Sequence, residues 1–451
     1  MKAVLYTTEE DRVKKEILFS AKDSGIEENV VNIYSHIKYQ VFEGFGGALT
    51  DASGFVFSKM SPELQKEMLD MYFKEENMGY NQVRIHIDSC DFSTHMYEAD
   101  PFEEDKNLEK FSFADTEKYI IPLLEAAEET AGEKLNIMLS PWSPPSYMKT
   151  NNGRKKGGSL KPQYRKRWAE YICRYIEEFK KRGYKVNRIS VQNEPKAVQE
   201  WDSCIYTPEE EKVFLRDFLY PTLVQHGLGE IEIFIWDHNK ERVYERTEAI
   251  LDREVEDMVS GVAFHWYSGD HFEGLNLIHH TYPDKKLILS ESCLEFGKYE
   301  KEAQKENAER LAHDMIGNLN HGMCGFYDWN VLLDSEGGPN HTENFCDAPY
   351  LFDMEKKILI KRKCLEYNWH FAHFIKPGAV RLAVTRYTDK LDITGWENPD
   401  GNIVFIMLNR EDETMPCNLR IKGEEFVFHI LPHTMISGVI DKTFNRKDKR
   451  I

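Results

Sequence analysis

Long apolar runs are missing from this chain of 451 residues. Nothing approaches the roughly 18 consecutive apolar residues of a membrane-spanning helix, which excludes an integral helical membrane protein. Paired cysteines are missing too. The eight, at positions 90, 173, 204, 293, 324, 346, 364 and 417, include no Cys-x-x-Cys, so neither a zinc knuckle nor a disulfide framework is expected. No low-complexity tract suggests disorder. Positive charge is in deficit: 58 Lys and Arg face 77 Asp and Glu, and a net charge of −19 would repel nucleic acid or an anionic membrane surface. The stretch from Met1 to Arg12 lacks the apolar core of a secretory signal. These absences lead to the expectation of a cytoplasmic protein with no nucleic-acid partner and no stable membrane association.

What is present is ample material for a large core and a smaller one. Hydrophobic residues make up 41% and aromatics 12%, and a chain of this length accommodates one large domain plus a second. The aromatic total is read as core material, although flat rings also suit sugar faces. Apolar runs of strand length recur at Phe42–Gly46, Val83–Asp88, Leu135–Ser140, Arg188–Gln192, Ile231–Trp236, Val262–Trp266, Lys286–Ser290 and Cys324–Trp329. Most are continuous rather than alternating, as in strands buried on both faces of a parallel sheet. Helical patterns separate them. Ser61-Pro62-Glu63 and Thr207-Pro208-Glu209-Glu210 open two helices with capping residues, and Pro162–Gly183 forms a third that ends in basic residues and glycine.

Eight strands alternating with helices predict a (β/α)8 TIM barrel over 41–375. A doubly wound open sheet is the rival, but it gives no reason for polar motifs after nearly every strand. Beyond Pro377 the pattern becomes alternating, with a turn at Asn398-Pro399-Asp400-Gly401, and two more strand-like pieces lie within 1–40. Residues 1–40 and 376–451 are therefore expected to build an attached antiparallel β-sandwich from both chain ends.

Two glutamates stand at strand ends. Asn193-Glu194-Pro195 closes the fourth run and Ser290-Glu291-Ser292 the seventh. Barrels carry their functional groups at the carboxyl ends of strands, and strands four and seven lie across the ring from each other. A carboxyl pair about 5–5.5 Å apart is what a retaining glycosidase uses, one attacking and one moving the proton. Other strand ends add rings and polar groups: Asp51 after the glycine-rich first run, Trp142 in a proline-stiffened loop, His265 and Tyr267 after the sixth, Trp329 after the eighth. Asp51 reads either as a sugar-hydroxyl acceptor or as the cap of the next helix. Arg84, within the second run, is suited to stand beside a carboxylate. The glycine-rich segment Gly44–Asp51 matches neither phosphate-binding pattern. His86, Asp88, Asp237, His238 and His265 raise the question of a metal. With no His-x-His on the first strand and no His-Glu-x-x-His helix, they read as barrel histidines, so no metal and no cofactor is expected.

These segments together resemble glycoside hydrolase family 30, in particular its glucosylceramidase-like branch. The resemblance runs through Phe42-Glu-Gly-Phe-Gly-Gly-Ala-Leu-Thr-Asp, Gly79-Tyr-Asn, Ser89-Cys-Asp-Phe-Ser, Ser140-Pro-Trp-Ser-Pro-Pro, Gln192-Asn-Glu-Pro, His265-Trp-Tyr, Ser290-Glu-Ser-Cys, Asp328-Trp-Asn and Gly337-Gly-Pro-Asn. It implies a barrel with a β-sandwich, a retaining exo-acting β-glycosidase and a small glycoside substrate. Glu194 is then the acid/base and Glu291 the nucleophile. Asp51, Trp142, Asn193, Tyr267, Trp329 and Asn344 match sugar-holding positions, with Arg84 and His265 in support. The loop Gln199–Tyr206 departs from lipid-hydrolysing members, so the aglycone stays open. A β-1,6-glucanase, a β-xylosidase, or a binding protein that has kept the fold are the alternatives. A further expectation is that Glu194 has a raised pKa while Glu291 is charged, through like-charge repulsion.

Overall fold

The computed structural model describes residues 1–9 and 12–441. Residues 10–11 and 442–451, which the expected sandwich segments include, lie outside the described residues. Eight strands, Gly44–Ala48, Gln82–Ile87, Asn136–Pro141, Val186–Ser190, Glu232–Asn239, Gly261–His265, Lys286–Glu291 and Met323–Asp328, close into a parallel barrel. Each corresponds to one of the eight apolar runs. Their continuity has the expected cause: all six residues of Gln82–Ile87 and all six of Met323–Asp328 are buried. The first strand needs glycine for closeness, since a Cβ at Gly46 would stand 2.1 Å from the Gln82 carbonyl oxygen.

The surrounding helices begin where the capping residues stand. The Ser61 side chain accepts from the Leu64 amide, and the helix Pro62–Phe73 buries Met68, Leu69, Tyr72 and Phe73. Thr207 and Glu210 form a reciprocal capping box. At the first strand, Thr50 rather than Asp51 caps the following helix, its side chain accepting from the Ser53 amide. No helix among the described residues is long and apolar enough to cross a membrane.

Both chain ends meet in one ten-stranded sheet. Lys2–Glu9 pairs with Thr434–Asp441, and Val30–Val41 lies between Val380–Thr385 and Met415–Ile421. The sandwich is not wholly antiparallel as expected. Val30–Val41 runs parallel to Met415–Ile421, pairing Asn418 with Val30 and Leu419 with Val31. Its register against Val380–Thr385 slips between Val380 and Ala383. Such slips bend a strand. The sheet curls over an apolar core that includes Val31, Ile33, Phe405, Met407, Leu419 and Phe428.

The helix Lys363–Ala372 joins the two units through His370. Its buried ring reaches the Ser437 hydroxyl from Nδ1 and the Thr8 hydroxyl from Nε2, both at 2.9 Å. Burial pushes its pKa down to about 3, so the ring stays neutral and serves as both donor and acceptor. Replacing His370 with Leu removes the partner of two hydroxyls. The expected loss is about 1–3 kcal/mol in urea unfolding at neutral pH. Unaltered unfolding would show that this bridge does not hold the units together.

Candidate active site

The carboxyl ends of strands two, three, four, five, six and seven converge on one small region. Beyond the fourth strand, the Asn193 amide donates to the Pro141 carbonyl (2.8 Å) and the Glu194 amide to the Asp237 carbonyl (2.9 Å). Glu194 is thereby held at a left-handed φ of 47°, costly for a residue with a Cβ. Glu291 is the last residue of the seventh strand.

Two irregularities double the number of side chains delivered there. Against the sixth strand, Ala263 pairs with Trp236 and Phe264 with His238, so Asp237 is an extra residue in the fifth strand. Likewise Phe264 pairs with Leu289 and His265 with Glu291, which leaves Ser290 as an extra residue. In a regular strand successive side chains point to opposite faces; a bulge relaxes that rule. Asp237 and His238 thus both face the site, as do Ser290 and Glu291.

Arg84 is the centre of this group and is completely buried. Its Nη1 donates to Glu291 Oε2 (2.7 Å), its Nη2 to Asn193 Oδ1 (2.8 Å) and Asp237 Oδ2 (2.9 Å), and its Nε to Ser140 Oγ (3.1 Å). The guanidinium carbon lies 4.9 Å from the Trp142 ring centre and 5.3 Å from that of Trp329, and these two rings stack at 5.2 Å. The other Glu291 oxygen accepts from the Tyr267 hydroxyl at 2.9 Å. Both oxygens of this carboxylate are oriented before any substrate arrives.

Glu194 stands among imidazoles. Its Oε1 is 3.3 Å from His238 Nδ1 and 3.4 Å from His265 Nδ1, while Gln199 Nε2 donates to Oε2 at 3.3 Å. The far side of the His265 ring, Nε2, meets Asp237 Oδ1 at 3.1 Å and lies 3.8 Å from Glu291 Oε2. One ring therefore separates the two glutamates. Burial alone would lower the His265 pKa, but the charge of Glu291 and the contacts with Asp237 and Glu194 raise it to about 9. Burial would raise the Glu194 pKa, yet His238 and then His265 outweigh it and hold the carboxyl well below its usual range. This corrects the expectation of a raised Glu194. Imidazole attraction exceeds the effect of burial, and His265 is the protonated member of the contact.

A cavity of about 190 Å³ opens onto both glutamates. Trp142, Asn193, Tyr267, Trp329 and Asn344 line it, as the sequence suggested. Asp51 is buried, its Oδ2 accepting from the Thr94 amide at 2.7 Å and its own amide donating to His86 Nε2 at 3.0 Å. Arg84 and His265 act from behind the lining. Sequence reasoning did not pick out Asp91, Gln199, Trp201, His238 or the thiols Cys293 and Cys346 as lining residues. Asp91 had a signal, since it sits inside the quoted Ser89–Ser93 motif. Burial, then the charges of Glu291 and Glu194, push its carboxyl well above the usual range. Its Oδ2 accepts from Asn340 Nδ2 at 3.2 Å. His238 was noted in sequence only among the strand-end histidines, and its orientation toward Glu194 follows from the bulge. Glu194, His238 and His265 also bring three possible metal-ligand atoms within 4.8 Å of one another, a convergence that linear spacing concealed.

The chain was compared with known proteins. The glycosyl hydrolase family 30 TIM-barrel domain matches residues 42–375, and the beta sandwich domain of the same family matches 378–437. Lysosomal acid glucosylceramidase of Mus musculus is 31% identical over 400 residues, covering 85% of this chain and 77% of that protein. Putative glucosylceramidase 4 of Caenorhabditis elegans is 29% identical over 433 residues, covering 91% and 83%. The crystal structure of SrfJ from Salmonella typhimurium superposes with a TM-score of 0.95 at 34% identity, covering 98% of this chain and all of that one.

The raised His265 pKa makes a pH-dependent contribution to stability. A base whose pKa rises on folding, here from 6.5 to about 9, stabilises fully below pH 6.5 and loses that contribution as the pH rises through about 9. The stability gap between the wild type and His265→Gln should be widest at or below pH 6.5, with a pH-dependent part of about 3 kcal/mol. It should shrink as the pH passes 9. A gap that does not change with pH would place the proton elsewhere.

Proposed function

The chain belongs to glycosyl hydrolase family 30, and on that footing we propose that it is a retaining, exo-acting β-glucosidase of the glucosylceramidase type. The observation that carries this reading is the placement of one buried cation, Arg84, against Glu291 and Asn193, with the His265 ring between Glu291 and Glu194. Glu291, oriented by Arg84 and Tyr267, attacks the anomeric carbon and forms a covalent glycosyl-enzyme. Glu194 gives a proton to the leaving oxygen and later takes one from the attacking water. Asn193, its carbonyl oxygen tied to Arg84, presents its amide nitrogen to the 2-hydroxyl, a contact that strengthens in the transition state.

The proton arrangement suits this sequence of steps. The charge on Glu291 is the strongest influence raising the His265 pKa. As that charge passes into the new glycosyl bond, the His265 proton is held less tightly and moves across the 3.4 Å contact to Glu194 and on to the leaving oxygen. Proton delivery is in this way timed by bond formation at the nucleophile. The small cavity and the stacked pair of Trp142 and Trp329 support recognition of one terminal sugar ring rather than the interior of a polymer.

The glutamates are distinguished by rescue chemistry. Glu291→Ala should lose turnover on an aryl β-glucoside and regain it with azide, giving the α-glycosyl azide. Glu194→Ala should lose about 10²–10⁴-fold on substrates with poor leaving groups. With an activated aryl glucoside that variant should accumulate the glycosyl-enzyme, which azide releases as the β-glycosyl azide. Proton NMR of the first wild-type product should show the β-anomer. An α-anomer would overturn the retaining mechanism, and opposite azide stereochemistries would exchange the two roles. A preference for β-1,6-glucan or β-xyloside over aryl β-glucoside would overturn the substrate assignment.

A further inference from the structure

The two imidazole contacts of Glu194 have an unusual geometry for hydrogen bonds. A charge-assisted N–H···O bond is about 2.7–2.9 Å long. Here Nδ1 of His238 and Nδ1 of His265 stand 3.3 and 3.4 Å from the same oxygen. Both nitrogens are buried, and neither has a hydrogen-bond partner. Two buried ring nitrogens face one carboxylate oxygen at ion-pair rather than hydrogen-bond distance. Buried polar atoms are rarely left so.

The two separations from Glu194 match edges of a coordination polyhedron. Zinc binds His nitrogen and carboxylate oxygen at about 2.0–2.1 Å, so the edge of a tetrahedron around it is roughly 3.3–3.4 Å. The Glu194–His238 and Glu194–His265 edges have these lengths, and all three donor atoms lie within 4.8 Å of one another. Second contacts are also in place. Nε2 of His265 is anchored on Asp237 Oδ1 at 3.1 Å, the carboxylate–histidine arrangement that orients a metal-binding ring. Gln199 holds the other Glu194 oxygen, leaving Oε1 to face the rings. The carboxylates of Glu194, Asp237 and Glu291 crowd the same space, with Arg84 as the buried counter-charge to the last two. Glu194 and His238 line the cavity, which leaves a fourth position open to water.

We propose that Glu194, His238 and His265 form a binding site for a divalent transition cation of the zinc or cobalt type, and that its occupancy switches the hydrolase off. The ion takes the place of the proton on His265 Nδ1, which leaves to solvent; with His238 carrying its own proton on Nε2, the ion bonds coordinately to Nδ1 of both rings and to Oε1 of Glu194. Glu194 then has no free oxygen on that side to carry a proton to the leaving group. The binding step rests on the geometry alone. The inhibition rests on the proposed acid/base role of Glu194.

Titration of the intact chain with Co²⁺, followed by visible ligand-field absorption with hydrolysis of an aryl β-glucoside measured in parallel, tests both halves. One equivalent should bind with a nitrogen- and oxygen-ligand spectrum. Activity should fall in step and return with EDTA. His238→Ala should weaken cobalt affinity by more than about tenfold. Glu194→Gln should do the same and is the second variant should the first not fold. Absence of saturable binding near one equivalent, or unchanged affinity in both variants, overturns the site. So does a sulfur-to-cobalt charge-transfer band lost on replacing Cys293 or Cys346, the thiols lining the same cavity; the glycosidase reading survives any of these results. Cobalt bound at the three residues with full activity retained overturns the switch and the acid/base role of Glu194 together.

Discussion

A guanidinium with no access to water is the constraint around which the catalytic end of the barrel is arranged. Burying a charge is expensive unless it is paired and fully hydrogen-bonded. Arg84 meets that requirement with partners from four other strand ends: Ser140, Asn193, Asp237 and Glu291. Loss of either carboxylate would leave a buried charge uncompensated, at about 3–5 kcal/mol. The two tryptophans packed against the guanidinium take their positions from it as well. Stability and preorganisation have one source here. Groups that line the cavity are held by the same bonds that make the buried cation tolerable.

The backbone carries a matching strain. Left-handed φ values occur at Glu194 (47°) and Asn330 (70°), beyond the fourth and eighth strands, and at Trp236 (72°) and Asp237 (49°), at the bulge of the fifth. Each costs free energy that the barrel's closed hydrogen bonding sustains. What the strain achieves is density. Without the extra residues at Asp237 and Ser290, alternation would turn one member of each pair away, and Arg84 or Glu194 would lose a partner.

That density governs the protonation chemistry. Three carboxylates surround His265, so this ring retains a proton while Glu194 is held as the carboxylate. The effect that raises the Glu194 pKa is burial rather than the like-charge repulsion foreseen from sequence, and it is outweighed by imidazoles whose approach the sequence did not reveal. The same closeness that shares a proton between Glu194 and two rings matches the edge length of a tetrahedral metal site. A proton and a divalent cation therefore compete for one set of atoms.

The local features were legible because they rest on local physics. Continuous apolar runs located the eight barrel strands, since burial on both faces demands them, and capping residues marked the helix starts at Ser61 and Thr207. Glu194 and Glu291 stood out by their place at strand ends, and Trp142, Asn193, Tyr267, Trp329 and Asn344 by the motifs around them. The remainder depended on register. A bulge is one residue inserted into a hydrogen-bonded ladder and leaves no compositional trace, so the turning of His238 toward Glu194 appeared only in three dimensions. Asp51 was picked out by its motif, but the bond that fixes its carboxylate, from the Thr94 amide of a distant loop, shows only in the fold. The parallel junction of Val30–Val41 with Met415–Ile421 was likewise hidden, since alternation shows that a strand has two faces but not which way its neighbour runs. Residue chemistry and periodicity determined the barrel and its two glutamates; packing of distant segments decided their protonation and the company they keep, because those depend on distances of a few ångströms that no linear spacing encodes.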